Sequence, residues 1–188
     1  KTSEQKKELR SAMLSKRMSM QVTGKRLYDE WVCQALFNLI LQNGYKVIHV
    51  YLPMKGEINL YPLIESMLAN GNTVVCPKTL PDRKLKNLVL SSLSEVKKGV
   101  FGTLYPAGSN EYMGAYDLII VPGLAYDANG YRLGYGGGYY DGFLSSQNKA
   151  NKLGAFYPYQ KVDSVPTEPH DVCLDTILVN EDRSQSLF

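Results

Sequence analysis

The chain has few cysteines, no long apolar run and no large excess of charge. Its three cysteines, Cys33, Cys76 and Cys173, are odd in number and far apart. They therefore favour neither a disulfide scaffold nor a cysteine metal site, which is typical of a reducing compartment. No apolar run approaches the length needed to cross a bilayer. We expect a cytoplasmic protein that does not bind a membrane.

The net charge is also small. The 21 Lys and Arg residues against 18 Asp and Glu residues give a formal net charge of +3, which by itself predicts no nucleic-acid partner. Lys1 through Arg10 is charged and lacks the apolar core of a signal peptide. The 188 residues are enough for one domain with a substantial core, and we expect a monomer with a single domain over residues 1–188.

Glycine is concentrated in one segment. Residues 130–141 read G-Y-R-L-G-Y-G-G-G-Y-Y-D, and we call residues 134–138 the glycine loop. Because each glycine costs backbone entropy on folding, such a cluster is expected where the chain bends sharply or something bulky approaches its N–H groups. Arg132 before the loop adds a cation for an anion, and Asp141 after it adds a carboxylate for a cation. The segment therefore suits a nucleotide phosphate with its magnesium ion.

Other interpretations of the glycine loop are a flexible linker or a better-known phosphate motif. The loop contains no serine and is followed by Phe143 and Leu144, unlike a solvated linker. A dinucleotide fingerprint starting at Gly134 requires glycine at 139, where the chain has Tyr139. No G-K-S or G-K-T occurs, which excludes a P-loop. A phosphate cradle here must be of another kind.

Hydrophobic periodicity predicts an α/β fold. We expect helices at 3–20 (capped by Ser3), 27–43, 62–69 and 139–146, strands at 46–52, 73–76, 85–90, 118–121, 152–157 and 176–179, and a long loop at 99–114. Because strands alternate with helices, the sheet should be mostly parallel and covered on both faces. Ligands of such sheets bind beyond the carboxyl ends of the strands, where the glycine loop follows the most apolar strand.

Three further clusters offer charged groups. Lys6 and Arg10 share one face of the first helix, although most such pairs are a solvated basic surface. Glu57 follows the first strand, as a ligand or as part of a turn and cap. Asp171 offers oxygen to a hard cation, while the adjacent His170 is more typical of a hydrogen-bonded loop histidine.

Tyrosine is abundant, with 14 residues, several of which surround the glycine loop. These are Tyr126, Tyr131, Tyr135, Tyr139 and Tyr140. Their rings suit a flat heteroaromatic ligand, but tyrosines on a rim also pack with the hydroxyl in water. The composition leaves both alternatives open.

The motifs together resemble one family. V-P-G-L-A-Y-D-A-N-G-Y-R-L-G-Y-G-G-G-Y-Y-D at 121–141, K-K-E-L-R at 6–10 and K-G-E-I at 55–58 closely resemble the 5-formyltetrahydrofolate cyclo-ligase family. The resemblance spans nearly the whole chain. It implies a three-layer α/β/α sandwich that converts 5-formyltetrahydrofolate and ATP into 5,10-methenyltetrahydrofolate, ADP and phosphate with magnesium.

The resemblance also implies residue roles. Arg132, Lys6 and Arg10 would be catalytic, Leu52, Glu57 and Tyr139 would hold the folate, and Asp141 and Asp171 would hold Mg²⁺. The implied ATP contacts are Lys6, Lys7, Glu8, Leu9, Arg10, Arg132, Leu133, Gly134, Tyr135, Gly136, Gly137, Gly138, Tyr139 and Tyr140. Many relatives carry a basic residue in place of Tyr135, and some in place of Gly137, so fewer loop cations face the triphosphate here. Asp141 has an alternative role as a helix cap.

The implied chemistry fits these residues. A formamide oxygen is a poor leaving group, and phosphorylation by ATP makes it a good one, so that N10 of the same molecule can attack. The protein mainly aligns the formyl oxygen with the γ-phosphorus and neutralises charge. No general base or covalent side chain is strictly required.

Two other classes stay open. A CoA-transferase or sugar-phosphate isomerase would bind an anionic substrate at the same loop without consuming ATP. An RNA-binding module would use Lys6, Lys7, Arg10, Lys16, Arg17, Lys25 and Arg26, but no aromatic pattern interleaves with these charges.

Overall fold

The elements follow one another in α/β order in a computed structural model that describes residues 1–188. The helices are α1 (Thr2–Met18), α2 (Val22–Asn43), α3 (Tyr61–Ala69) and α4 (Tyr139–Ser145). The strands are β1 (Val47–Val50), β2 (Thr73–Thr79), β3 (Leu85–Leu90), β4 (Val96–Lys98), β5 (Leu104–Pro106), β6 (Leu118–Ile120), β7 (Ala125–Tyr126), β8 (Arg132–Leu133), β9 (Asn151–Ala155) and β10 (Thr176–Leu178). Short 3₁₀ turns occupy Pro81–Arg83, Val100–Gly102, Pro158–Gln160 and Glu181–Leu187.

Six strands form the central sheet in the order β10-β9-β6-β1-β2-β3. All neighbours are parallel except β2 and β3, which form an antiparallel hairpin with Thr79 opposite Leu85. Strand β6 is buried at every residue, as expected of a parallel strand covered on both faces. The mostly parallel sheet expected from the sequence is confirmed.

Helices and loops cover the two faces of the sheet. On one face, α2 and α3 bury Leu36 and Ile64 in a cluster with Ile48, Val74 and Ile120 of the sheet. The opposite face is covered by α4 and by loop segments, and its cluster includes Val75, Ile119, Leu144, Phe156 and Leu174. The three-layer arrangement is therefore confirmed, with a thinner second layer because α4 has only 7 residues.

Helix α1 packs against a small two-stranded unit rather than against the central sheet. Strands β7 and β8 pair antiparallel after β6. Met13 of α1 is buried with Leu124, Ala125, Leu133 and Val165 around this pair. This contact brings the charged face of α1 beside the glycine loop, which follows β8 directly.

Three details of the sequence prediction were wrong. Ser3 does not cap α1, because the helix already begins at Thr2 and Lys1 holds the N-cap position. Helix α2 begins at Val22 because the chain terminus supports its start: the Gln21 N–H donates to the Leu187 carbonyl (2.8 Å). The segment 99–114 is not only a loop, since it contains β5, which pairs with β4.

The carboxyl ends of β1, β6 and β9 share one edge of the sheet. Residues 51–57 leave β1 at this edge, and the segment that leads to β7, β8 and the glycine loop leaves β6 there. The candidate site residues therefore lie at the edge that parallel sheets use for ligands. None of the four helices combines the length and hydropathy needed to span a membrane.

Candidate functional site

Arg132 is a buried cation at the start of β8, and 4% of its side chain is exposed. Its Nη1 donates to the Pro122 carbonyl (3.3 Å), and its Nη2 lies 3.6 Å from Asp141 Oδ1. Its guanidinium carbon lies 5.7 Å from the Tyr140 ring centroid, and its buried Nε has no acceptor. Burial lowers the pKa of Arg132, and Asp141 opposes that shift. A buried guanidinium with an unused donor is suited to bind an oxyanion.

Arg10 connects α1 to the glycine loop. Its Nε donates to the Gly134 carbonyl (2.9 Å). Gly136 has a φ of +98°, and a Cβ at this position would lie 3.2 Å from the Arg10 guanidinium carbon. Glycine is therefore needed here both for the left-handed backbone and for the close approach of the cation. The structure thus places Arg10 and Arg132, two of the cations that the sequence suggested, beside Gly134.

Lys6 is bound by two carboxylates of a distant segment. Its Nζ donates to Asp171 Oδ2 (2.7 Å) and to Glu168 Oε2 (2.8 Å). Burial alone would lower the pKa of Lys6, but the bonds to Asp171 and Glu168 outweigh it and raise the pKa. For Asp171, burial acts to raise the pKa, and the bonds from Lys6 and the Glu168 N–H lower it overall. Glu168 is a site residue that the sequence reasoning missed.

A groove of about 430 Å³ lies between α4 and residues 169–172, and Asp141 and Asp171 both line it. Its volume is in the range of small-molecule sites. Asp141 Oδ1 accepts the Val172 N–H (3.1 Å), and Gly138, rather than Asp141, holds the N-cap position of α4. Asp141 is therefore not the helix cap that the alternative interpretation expected.

The two carboxylates suit a hard cation. Oδ2 of Asp141 makes no hydrogen bond, and Oδ1 of Asp171 has only the exposed His170 nearby, at 3.6 Å. Each carboxylate thus retains an oxygen, which is the ligand type that Mg²⁺ prefers. Glu168, His170 and Asp171 also lie close enough to share an ion, with ligand atoms within 4.8 Å of one another.

Glu57 lies in a turn after β1 and is buried. Its Oε1 accepts the Met54 N–H (2.8 Å), and its Oε2 accepts the hydroxyl of Tyr135 (3.1 Å) from the glycine loop. Burial raises the pKa of Glu57, although the Met54 N–H and Arg17 act in the opposite direction. Arg17 Nη2 donates to the same Tyr135 hydroxyl (2.6 Å). The sequence suggested Arg17 only as part of an RNA-binding surface and did not place it beside Glu57, although it lies seven residues after Arg10 and hence on the same helical face.

The remaining implied contacts divide into exposed and buried positions. Lys7 and Glu8 are exposed, and Leu9 packs beside Met13. Leu133 and Leu52 are buried in apolar clusters. A Cβ at Gly137 would lie 2.5 Å from the Tyr139 ring, so a side chain at this position would require that ring to move.

Arg83 is a further cation beside the glycine loop that sequence patterns did not indicate. It lies in the turn of the β2–β3 hairpin, where Asp82 and Arg83 have φ values of +66° and +60°. Its Cδ is 3.7 Å from the position that a Cβ of Gly138 would occupy. Such backbone conformations are uncommon in residues other than glycine.

Comparisons with known proteins agree on one family. The model of the 5-formyltetrahydrofolate cyclo-ligase family matches residues 2–180. The 5-formyltetrahydrofolate cyclo-ligase of Haemophilus influenzae is 32% identical over 185 residues, which cover 94% of this chain and 98% of that protein. The one from Mycoplasma pneumoniae is 28% identical over 179 residues, which cover 94% and 99%.

Solved structures agree with these sequence comparisons. The NMR structure of 5,10-methenyltetrahydrofolate synthetase from Aquifex aeolicus has a TM-score of 0.80 and 31% identity, covering 93% of this chain and 89% of that one. The 5,10-methenyltetrahydrofolate synthetase from Mycoplasma pneumoniae has a TM-score of 0.75 and 27% identity, covering 92% and 97%.

Proposed function

The chain is an enzyme of the 5-formyltetrahydrofolate cyclo-ligase family, and we propose that it converts 5-formyltetrahydrofolate and ATP into 5,10-methenyltetrahydrofolate, ADP and phosphate. The resemblance inferred from the sequence motifs is thereby confirmed at the level of the family. The observation that carries the proposed reaction is the convergence of Arg132 and Arg10 on the glycine loop, beside a groove lined by two carboxylates.

The triphosphate would bind along the glycine loop. Arg10 lies against the loop backbone, and Arg132 has an unused buried donor. Lys6 is about one helical turn before Arg10 and can exchange a carboxylate for a phosphate oxygen. These three cations are our catalytic residues, because they neutralise charge on the transferred phosphoryl group.

Asp141 and Asp171 would hold the magnesium ion, each through the oxygen that is not already bonded within the protein. Bound there, Mg²⁺ would supply positive charge beside the phosphate oxygens. The carboxylates also hold Arg132 and Lys6, so the same two residues orient the cations that bind the phosphates.

The folate would bind on the β1 side of the glycine loop. Glu57 is a buried carboxylate, suited to accept hydrogen bonds from the N–H groups of a pterin. Tyr139, the first residue of α4, offers a ring to the flat heterocycle, and Leu52 supports the turn from within the core. This arrangement would place the formyl group between residues 54–57, which we call the folate turn, and the triphosphate.

In the reaction, the formyl oxygen attacks the γ-phosphorus and ADP leaves. N10 then attacks the formyl carbon, and the phosphate leaves with the formyl oxygen and takes up the N10 proton, so that the methenyl bridge forms. The protein supplies alignment and charge neutralisation rather than a base. His49 does not offer one, since burial lowers its pKa to about 4 and its Nε2 is bonded to Asn87 Oδ1 (2.8 Å).

The structure argues against the RNA-binding alternative through three of its basic residues. Lys6, Arg10 and Arg17 contact Asp171, Gly134 and Tyr135 instead of forming a free basic surface. A transferase or isomerase would use the same loop without nucleotide turnover. We further propose that residues 1–188 act as a single domain, as a monomer and in the cytoplasm.

An absorbance assay tests the proposal. Methenyltetrahydrofolate absorbs in the near ultraviolet, where 5-formyltetrahydrofolate does not, so the band should grow only with ATP. One phosphate should be released per methenyl group formed. Product formation at the same rate without nucleotide would refute the ATP-dependent reaction, and the absence of any product would refute the assignment of the substrate.

A further inference from the structure

Tyr135 joins the glycine loop to the folate turn through its hydroxyl. This hydroxyl donates to Glu57 Oε2 (3.1 Å) and accepts from Arg17 Nη2 (2.6 Å). The Arg17 guanidinium carbon also lies 5.6 Å from the centroid of the Tyr135 ring. Three segments distant in sequence, α1, the turn after β1 and the glycine loop, thus meet at one phenol oxygen.

The space around Glu57 is nearly filled by these contacts. The cavity that Arg17, Tyr51, Glu57, Tyr157 and Gln160 help to line measures about 10 Å³, which holds about one water molecule. A pterin cannot reach the Glu57 carboxylate through such a space. Either the Tyr135 hydroxyl or the Arg17 guanidinium must therefore move when a ligand reaches this carboxylate.

Gly56 shows that the position of Arg17 is built into the fold. Its φ is +89°, and a side chain at this position would overlap the aliphatic stem of Arg17. Arg17 therefore crosses the folate turn at a residue that has to be glycine. The contact between Arg17 and this turn therefore depends on the backbone conformation of Gly56.

We propose that the Tyr135 hydroxyl competes with the substrate for Glu57, and that Arg17 sets the strength of this competition by holding that hydroxyl. The inference rests on the proposed function, in which Glu57 accepts N–H groups of the folate. Donation by Arg17 to the phenol oxygen polarises the O–H bond and strengthens its donation to Glu57. Arg17 is thus a positioning residue that acts through Tyr135.

The competition gives the site selectivity. A ligand displaces Tyr135 from Glu57 only if its own donors form stronger hydrogen bonds to the carboxylate than the polarised phenol does. Two adjacent N–H donors of a pterin meet this requirement, whereas a flat ring without such donors does not. Release of Tyr135 also frees the glycine loop at the moment when the folate is bound.

Calorimetric binding of 5-formyltetrahydrofolate without nucleotide tests the proposal. Tyr135→Phe should bind about three- to tenfold more tightly than wild type. In this variant the folate does not have to break the hydrogen bond between Tyr135 and Glu57 before it binds Glu57. Arg17→Met keeps the aliphatic stem over Gly56 and should also tighten binding. Arg17→Met should add little in the Tyr135→Phe background, because Arg17 acts through the hydroxyl.

Lys16→Met is the matched control, since Lys16 is exposed in the same turn of α1, and its affinity should equal that of wild type. Unchanged or weaker binding by Tyr135→Phe would overturn the competition. Weaker binding by Arg17→Met, or by Arg17→Gln if the first variant melts early, would make Arg17 a direct ligand. Wild-type protein that binds no 5-formyltetrahydrofolate would instead refute the proposed function.

Discussion

Replacement of Asp141 by Asn separates its structural role from its proposed role as a metal ligand. The amide keeps an oxygen that can accept the Val172 N–H, which now bonds Oδ1 (3.1 Å). It loses the negative charge that lies 3.6 Å from the buried Arg132. The substitution therefore leaves one bond intact and removes one ion pair.

The stability cost follows from this ion pair. Two unit charges at that separation attract by about 4–5 kcal/mol at an effective dielectric constant of about 20. Part of this is regained by water, because 23% of the Asp141 side chain is exposed, so we expect a loss of about 2 kcal/mol. For a chain of this size, the thermal midpoint should fall by about 4–8 °C.

The metal effect is measured separately. Asp141→Asn should raise the Mg²⁺ concentration for half-maximal rate on the order of tenfold, because an amide lacks the charge that attracts a hard cation. The Michaelis constant for 5-formyltetrahydrofolate should change less. A variant that melts early but keeps the wild-type magnesium curve would show that Asp141 only supports Arg132 and Val172, and the metal would have to be held elsewhere.

Three further substitutions test the site. Arg132→Ala should lower kcat/KM about 30- to 1,000-fold, from about 2–4 kcal/mol of charge stabilisation, and near-normal rates would exclude a phosphate contact. Glu57→Gln should raise the Michaelis constant for folate more than that for ATP. Because burial raises the pKa of Glu57, this carboxylate should become protonated at a pH above the ordinary glutamate pKa of about 4.3, and the affinity of the wild type for folate should fall as the pH is lowered through that range. A matching fall in Glu57→Gln would implicate another group. Gly136→Ala should raise the Michaelis constant for ATP, since its φ is +98° and Arg10 lies against it, whereas Gly108→Ala, in open space outside the groove, should not.

The sequence predicted the sheet well because its signals are local. The apolar run at 118–121 identifies a strand that is buried on both faces, and β6 (Leu118–Ile120) covers three of these four residues. The start of α2 was misplaced because the Gln21 N–H is satisfied by Leu187, which is distant along the chain. The β4–β5 hairpin was missed because each strand has only 3 residues, too few to show a period of two.

The site was predictable only in part, for the same physical reason. Spacing along a helix placed Lys6 and Arg10 on one face, but it could not show that Lys6 pairs with Glu168, 162 residues away. Nor does a pattern indicate Arg83, whose position depends on the unusual backbone of the β2–β3 turn. Tertiary contacts of this kind become visible only when the chain is folded.

Helix α1 explains why cations from one helix serve different parts of the site. At 100° per residue, Lys6, Arg10, Met13 and Arg17 lie within about 60° of one another around the helix axis. Met13 is the buried anchor of this face, and the three cations contact three different segments: the loop at 168–171, the glycine loop backbone, and Tyr135 beside Glu57. Because the apolar anchor is small, these polar contacts also fix the helix in place. Helix α1 thus contacts both the loop that we propose for the nucleotide and, through Tyr135, the carboxylate that we propose for the folate.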